Sequence, residues 1–199
     1  MRGWPVLLLP LVVAGCLSRE LPPANHYLLS LQGETPKAAR AASSEVLKLA
    51  PLRSVRPFAT TGLIYRRGGV DQNQYAFNRW ADSPTRMLAL LLTEALNRSG
   101  LYRAVLPPGT GLRADLRLEG MLFDFSLHLE ADDPHAVAEA RFLLVDGRTK
   151  QVLAGRRFRV SEPLERETPE SGALALNRAA NRLAAELIHW LDGLPRKGG

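Results

Sequence analysis

The chain has a single cysteine, Cys16, among 199 residues. One thiol cannot close an internal disulfide, so the folded part must be held by packing alone, even in an oxidising compartment. No apolar run approaches the roughly 20 residues that a membrane-spanning helix needs. The apolar run from Trp4 to Ala14 carries no charge and is interrupted by Pro5 and Pro10. Histidine is sparse: His26, His128, His135 and His189 show no His-Glu-x-x-His spacing, which disfavours a zinc hydrolase, and cysteine ligands are excluded. No G-x-S-x-G elbow and no G-x-x-x-x-G-K-[ST] loop occurs, so neither a lipase of that kind nor an ATPase is expected. Lysine is also scarce. Only Lys37, Lys48, Lys150 and Lys197 occur among 26 basic residues; the rest are arginines. The net charge of +6 is scattered along the chain, with Arg66-Arg67 and Arg156-Arg157 as adjacent arginine pairs. That distribution speaks for solvated surface, or for anionic headgroups, rather than for nucleic acid.

What is present begins at the amino terminus. Arg2, the short apolar run and Val13-Ala14-Gly15-Cys16 have the form of a lipoprotein signal: positive residue, h-region of about 7–15 residues, small residues, then cysteine. The expectation is cleavage before Cys16, a diacylglycerol on its thiol and an acyl chain on the new amino group. Several acyl chains, at about 0.8 kcal/mol per buried methylene, make a firm anchor. Leu17 at the following position favours the outer membrane over the inner. The expected organisation is a signal peptide over 1–15, acylated Cys16 and tether over 16–24, one domain over 25–193, and a basic tail over 194–199.

Along the domain, Tyr27–Leu31, Val46–Val55, Leu63–Arg66 and Gln74–Arg79 read as strands, and Thr35–Ser44 as a loop. Ser83-Pro84 opens a helix whose apolar face carries Met87, Leu88, Leu91, Leu92, Ala95 and Leu96, with Gly100 as its stop. Tyr102–Leu106 follows as a strand. Then Ala114 to Phe125, Val137–Val145 and Val152–Val160 form a meander with turns at Asp132-Asp133-Pro134 and Asp146-Gly147. Thr168-Pro169 starts a second helix with an apolar stripe from Leu176 to Leu191, ended by Gly193 and Pro195. The pattern predicts a single α+β domain: a mostly antiparallel sheet with two helices packed on it.

Chemistry is thin. Asp132-Asp133 fits a turn. Asp124 lies in a strand without a nameable partner. The dense local feature is Tyr65-Arg66-Arg67 followed by Tyr75 to Trp80 just before the first helix. Tyr65, Arg66, Tyr75 and Trp80 are the candidate partner or ligand contacts, since aromatics and arginine are enriched at interface anchors. Core or cap packing of Tyr75, Phe77 and Trp80 is the competing explanation.

The order of Tyr27-Leu28-Leu29, Ile64-Tyr65-Arg66, Tyr75…Trp80-Ala81-Asp82-Ser83-Pro84, Leu118-Glu119-Gly120 with Phe123, Leu144-Val145-Asp146, Phe158 and a final Ala/Leu-rich helix, behind a lipobox, resembles the ABC-type transport auxiliary lipoproteins. That resemblance implies a fold like the TolB N-terminal domain. It implies a non-catalytic docking or conduit role beside an MCE-domain protein, a permease and an ATPase, in a system moving phospholipid or other hydrophobic molecules between membranes. It also implies homo-oligomeric rings at the outer membrane, with no cofactor beyond the lipid on Cys16. Two other readings stand beside it: a structural envelope lipoprotein binding peptidoglycan or a β-barrel, and an envelope hydrolase. The hydrolase requires Ser or Asp to meet a histidine as a nucleophile–base pair.

Overall fold

The computed structural model describes residues 23–40, 42–130 and 132–195; the signal segment, Cys16, most of the expected tether and tail residues 196–199 lie outside them. In chain order the elements are β1 (Asn25–Tyr27), β2 (Ser43–Leu49), β3 (Arg53–Ser54), a 3-10 turn (Arg56–Ala59), β4 (Gly62–Arg66), β5 (Gln72–Trp80), α1 (Pro84–Ser99), β6 (Tyr102–Leu106), β7 (Leu116–His128), β8 (His135–Asp146), β9 (Val152–Pro163) and α2 (Pro169–Asp192). All of the described strands join one sheet.

The 13-residue β7 is its axis. Three short strands share one edge of it in succession, all parallel to it: β2 through Leu47↔Leu116, β3 through Arg53↔Met121, and β4 through Tyr65↔Leu127. Its other edge carries β8 along nearly its whole length, and β9 extends that antiparallel meander. β5 and β1 continue the sheet outward from β4, and β6 continues it from β2.

The mostly antiparallel sheet expected from the sequence is corrected by this arrangement. Five of the eight strand pairings are parallel; only β4–β5, β7–β8 and β8–β9 are antiparallel. Hairpin turns advertise antiparallel neighbours locally, whereas parallel partners are joined by crossovers that leave no local mark.

Two further expectations change at their ends. The strand read over Val46–Val55 divides into β2 and β3, because Pro51 has no N–H for the ladder. Ala50 still donates to the Leu118 carbonyl at 2.9 Å before the break. The strand read over Tyr27–Leu31 is confined to β1 and stops at Tyr27. Beyond it the backbone crosses α2. Ser30 N–H donates to Asn177 Oδ1 at 2.9 Å and Gln32 N–H to Asn181 Oδ1 at 2.7 Å. Side chains of a helix thus satisfy donors that a neighbouring strand would otherwise take.

The helices form as their caps dictate. Thr168 Oγ1 accepts from Ser171 N–H at 3.2 Å, and Gly100 closes α1 in the left-handed conformation, at φ 71°. Ser83 makes no such cap; its own N–H donates to Asp82 Oδ1 at 2.7 Å. Leu88, Leu92 and Leu96 of α1 and Leu176, Leu183 and Leu187 of α2 are buried in one core with Leu47, Leu49, Leu63, Phe125 and Leu127 of the sheet. Among the described residues no helix is long and apolar enough to cross a membrane.

The approach of α2 to β7 is set by Gly172. A Cβ there would lie 2.2 Å from Leu127 Cδ1 and 3.2 Å from its Cγ, and Leu127 is itself buried. Gly172→Ala should therefore destabilise the domain by about 1–3 kcal/mol through overpacking, despite the better helix propensity of alanine. Chemical denaturation checks this, with Gly111→Ala, where no heavy atom lies within 4 Å, as the tolerant control.

Candidate partner-contact surface and the buried Asp124 cluster

The β4–β5 hairpin brings three of the four candidate contacts together. Tyr65 and Tyr75 face each other across the hairpin, ring centroids 4.7 Å apart and tilted by 44°. Arg67 lies over Tyr65 at 6.0 Å and pairs with Glu167 at 3.6 Å. Burial, reinforced by the neighbouring Tyr65 hydroxyl and opposed by Arg67, raises the Tyr75 phenol above its ordinary pKa. Arg66 is half-buried and reaches inward to Asp124 at 3.9 Å. Tyr65 and Tyr75 each keep part of the ring exposed, and Phe77, farther along β5, is 39% exposed.

Trp80 does not belong to this surface. Only 1% of it is exposed; its ring packs against Phe125 at 5.6 Å and edge-on against Tyr27 at 6.4 Å. As a contact candidate it is corrected to a core residue. Trp80 is the last residue of β5, and its burial anchors the turn into α1 in the core. Tyr27, its neighbour in β1, is tied down by its hydroxyl, which donates to Asn78 Oδ1 at 2.8 Å and lies 3.2 Å from Glu170 Oε1. Burial and the adjacent Glu170 carboxylate push the Tyr27 phenol up to about 12.

Behind the hairpin lies a cluster that the sequence did not reveal. Asp124, Ser126 and His128 alternate along β7 and so share one face of the strand. A ladder irregularity between Leu122 and Asp124 sets that phase. Asp124 accepts from Ser126 Oγ at 2.5 Å on one oxygen, and its other oxygen lies 2.9 Å from His128 Nε2. The His128 ring stacks on that of His135, its register partner on β8, at 5.2 Å. The signal was present as Asp-x-Ser-x-His at strand period; it lacked a long-range partner, Arg66, which only the sheet supplies.

This is not a nucleophile–base arrangement. A serine nucleophile needs the imidazole on its hydroxyl, with the carboxylate beyond the imidazole. Here the carboxylate is in the middle, the Ser126 proton points at it, and Ser126 is fully buried. Among the described residues no group of three His, Cys, Asp or Glu side chains could hold a metal ion.

The cluster has electrostatic consequences for stability. Burial raises the Asp124 pKa, but the hydrogen bonds with His128 and Ser126 and the charge of Arg66 outweigh it, so the carboxyl lies below its ordinary value. A carboxyl depressed on folding contributes stability that is complete above the unfolded value, near ~3.9, and is lost as pH falls through the lower folded value. Asp124→Ala should cost about 3 kcal/mol at neutral pH, because it leaves buried partners uncompensated. Asp124→Asn should flatten the acid limb of a stability–pH curve below about pH 4; urea unfolding across pH reads both effects.

Residues 27–188 match the family model for the ABC-type transport auxiliary lipoprotein component. No functionally curated protein matches the chain. Among solved structures, protein XCC0632 from Xanthomonas campestris is similar at 24% identity and TM-score 0.77, over 84% of this chain and 94% of its own. A PelC dodecamer from Paraburkholderia phytofirmans is similar at 14% identity and TM-score 0.50, over 81% and 96%. At these identities the two structures establish the shared fold, while the family model spans most of the chain. The chain belongs to the family of auxiliary lipoprotein components of ABC-type transport systems.

Proposed function

We propose that this protein is a non-catalytic docking or conduit subunit, anchored through acylated Cys16 to the outer membrane and facing the periplasm, in an MCE-type ABC system that moves phospholipid or other hydrophobic molecules between the two membranes. The family match over 27–188, directly behind a lipobox, carries this reading. The domain supports it through what it offers: a well-packed body, an aromatic and arginine-bearing hairpin half-open to solvent, and a buried polar cluster without catalytic order. The acyl chains keep the body at one membrane face. The tether over 16–24 spans at most ~30 Å when extended. Confinement of that kind raises the local concentration of weakly held partners, so modest contacts suffice. Copies of the chain assemble in a ring in this reading; the dodecameric PelC, of similar fold, supports it.

Pull-down of the tagged protein from solubilised envelopes tests the role. An MCE-domain protein, a permease and an ATPase should accompany it; recovery of peptidoglycan fragments alone would overturn the transport reading. Cys16→Ser should move the protein from the membrane to the soluble fraction, read by fractionation and by mass spectrometry of the mature terminus. Tyr65→Ala with Tyr75→Ala should leave the thermal unfolding cooperative and reduce partner recovery. Trp80→Ala, by contrast, should cost about 3–5 kcal/mol of stability.

A further inference from the structure

Basic residues that are far apart in sequence converge at the end of the sheet where β7 begins. A groove of about 750 Å³ opens there between the end of β2, β6, the segment leading into β7, and the β8–β9 turn. Lys48, Arg103, Arg113, Arg117, Arg148 and Lys150 line it, against Glu45, Asp115 and Asp146. The acidic groups already have partners. Asp115 Oδ2 accepts from Val46 N–H at 2.8 Å, and Asp146 Oδ1 accepts from Arg148 N–H and Thr149 N–H at 2.9 and 2.8 Å. Glu45 Oε2 lies 3.0 Å from Ser43 Oγ. On the basic side, Arg117 pairs with Glu119, and the Lys48 and Lys150 ammonium groups donate to the Thr110 and Gly147 carbonyls. Arg103, Arg113 and Arg148 are exposed and make no ion pair among the described residues.

The walls are fixed before any ligand arrives. Gly147 N–H donates to the Asp115 carbonyl at 2.7 Å, and a Cβ on Gly147 would lie 2.2 Å from the Ala114 carbonyl oxygen. The β8–β9 turn is therefore pressed against the start of β7. Lys48 clasps the Thr110 segment from the β2 side. Three arginines, Arg103 on β6, Arg113 on the approach to β7 and Arg148 in the turn, thus line one pre-formed groove.

From this convergence we infer that the groove is a binding site for a phosphate-bearing anion. A carboxylate presents one planar edge to one fork, whereas a phosphate group presents oxygens on several sides and suits donors arriving from separate walls. The volume lies in the range of small-ligand sites. Leu112, 63% exposed at the lining, offers an apolar contact beside the charges. A phospholipid headgroup and a free phosphate ester share this chemistry. The inference deepens the proposed transport role by naming a ligand class and a place for it.

The test uses the acylated full chain held in dodecyl maltoside micelles, which carry no phosphate, titrated calorimetrically with short-chain phosphatidylglycerol below its micellar concentration and, separately, with glycerol phosphate. Saturable binding of either probe is expected. It should weaken roughly tenfold or more in the combined Arg103→Gln, Arg113→Gln, Arg148→Gln variant, and stay unchanged in Arg86→Gln, which lies on α1 away from the groove. Binding of the lipid alone identifies a headgroup as the source; comparable binding of glycerol phosphate identifies a free ester. If neither probe binds, or the triple variant binds as the parent does while unfolding normally, the inference falls. The pull-down of transporter subunits reads out independently, so loss of this site and loss of the transport role are separable results.

Discussion

One strand carries the hydrogen-bonding obligations of the whole sheet. Every buried backbone N–H and C=O of β7 must find a partner, and along one edge that demand is met in relay by β2, β3 and β4. The relay works because Pro51 interrupts the first strand and the 3-10 turn at Arg56–Ala59 resets the chain before β4. On the opposite edge β8 supplies an unbroken antiparallel partner apart from one irregularity. α2 depends on that frame, since it seats Gly172 directly on Leu127 of β7.

The same strand separates the two surfaces to which the proposals assign a role. Thirteen residues at about 3.3 Å each place its ends some ~40 Å apart. At its final residues β4 lies alongside, bringing Arg66 to Asp124 and presenting the Tyr65–Tyr75 pair. At its start the β8–β9 turn and the end of β2 close around the basic groove. In the proposed role, the hairpin as a contact surface at one end and the inferred anion site at the other would suit a subunit standing between a membrane anchor and a partner assembly. The irregularity near Asp124 links strand geometry to electrostatics. It aligns Asp124, Ser126 and His128 on a single face, and Arg66 then completes a compensated buried charge.

Much of this was legible from local signals. Cap residues, helical periodicity and turn dipeptides located both helices and the β7–β8–β9 meander, because each depends on neighbours a few residues away. Gly100 and Thr168 act as their residue types predict; Ser83 holds the N-cap position of α1 without a side-chain cap bond. The Tyr27–Leu31 reading exceeded the true strand because apolar alternation does not reveal a crossing helix with Asn177 and Asn181 in reach. The aromatic stretch stands out in the sequence as a unit, yet alternation alone could not divide its members. Tyr65 and Tyr75 stay at the surface, while Trp80 becomes a core anchor for the turn into α1.

By itself, then, the sequence determined the two helices, the β7–β8–β9 meander and the α+β class, all of them products of short-range sterics, hydrogen bonding and amphipathic period. The tertiary structure alone decided that five of eight strand pairings run parallel, that Asp124 meets Arg66, that Trp80 is interior, and that arginines as distant as Arg103 and Arg148 share one groove. The physical reason is common to all four. Each depends on which edge of β7 a remote segment can occupy, and edge choice is settled by satisfying the backbone of a shared strand and burying one continuous core, neither of which a local window of residues encodes.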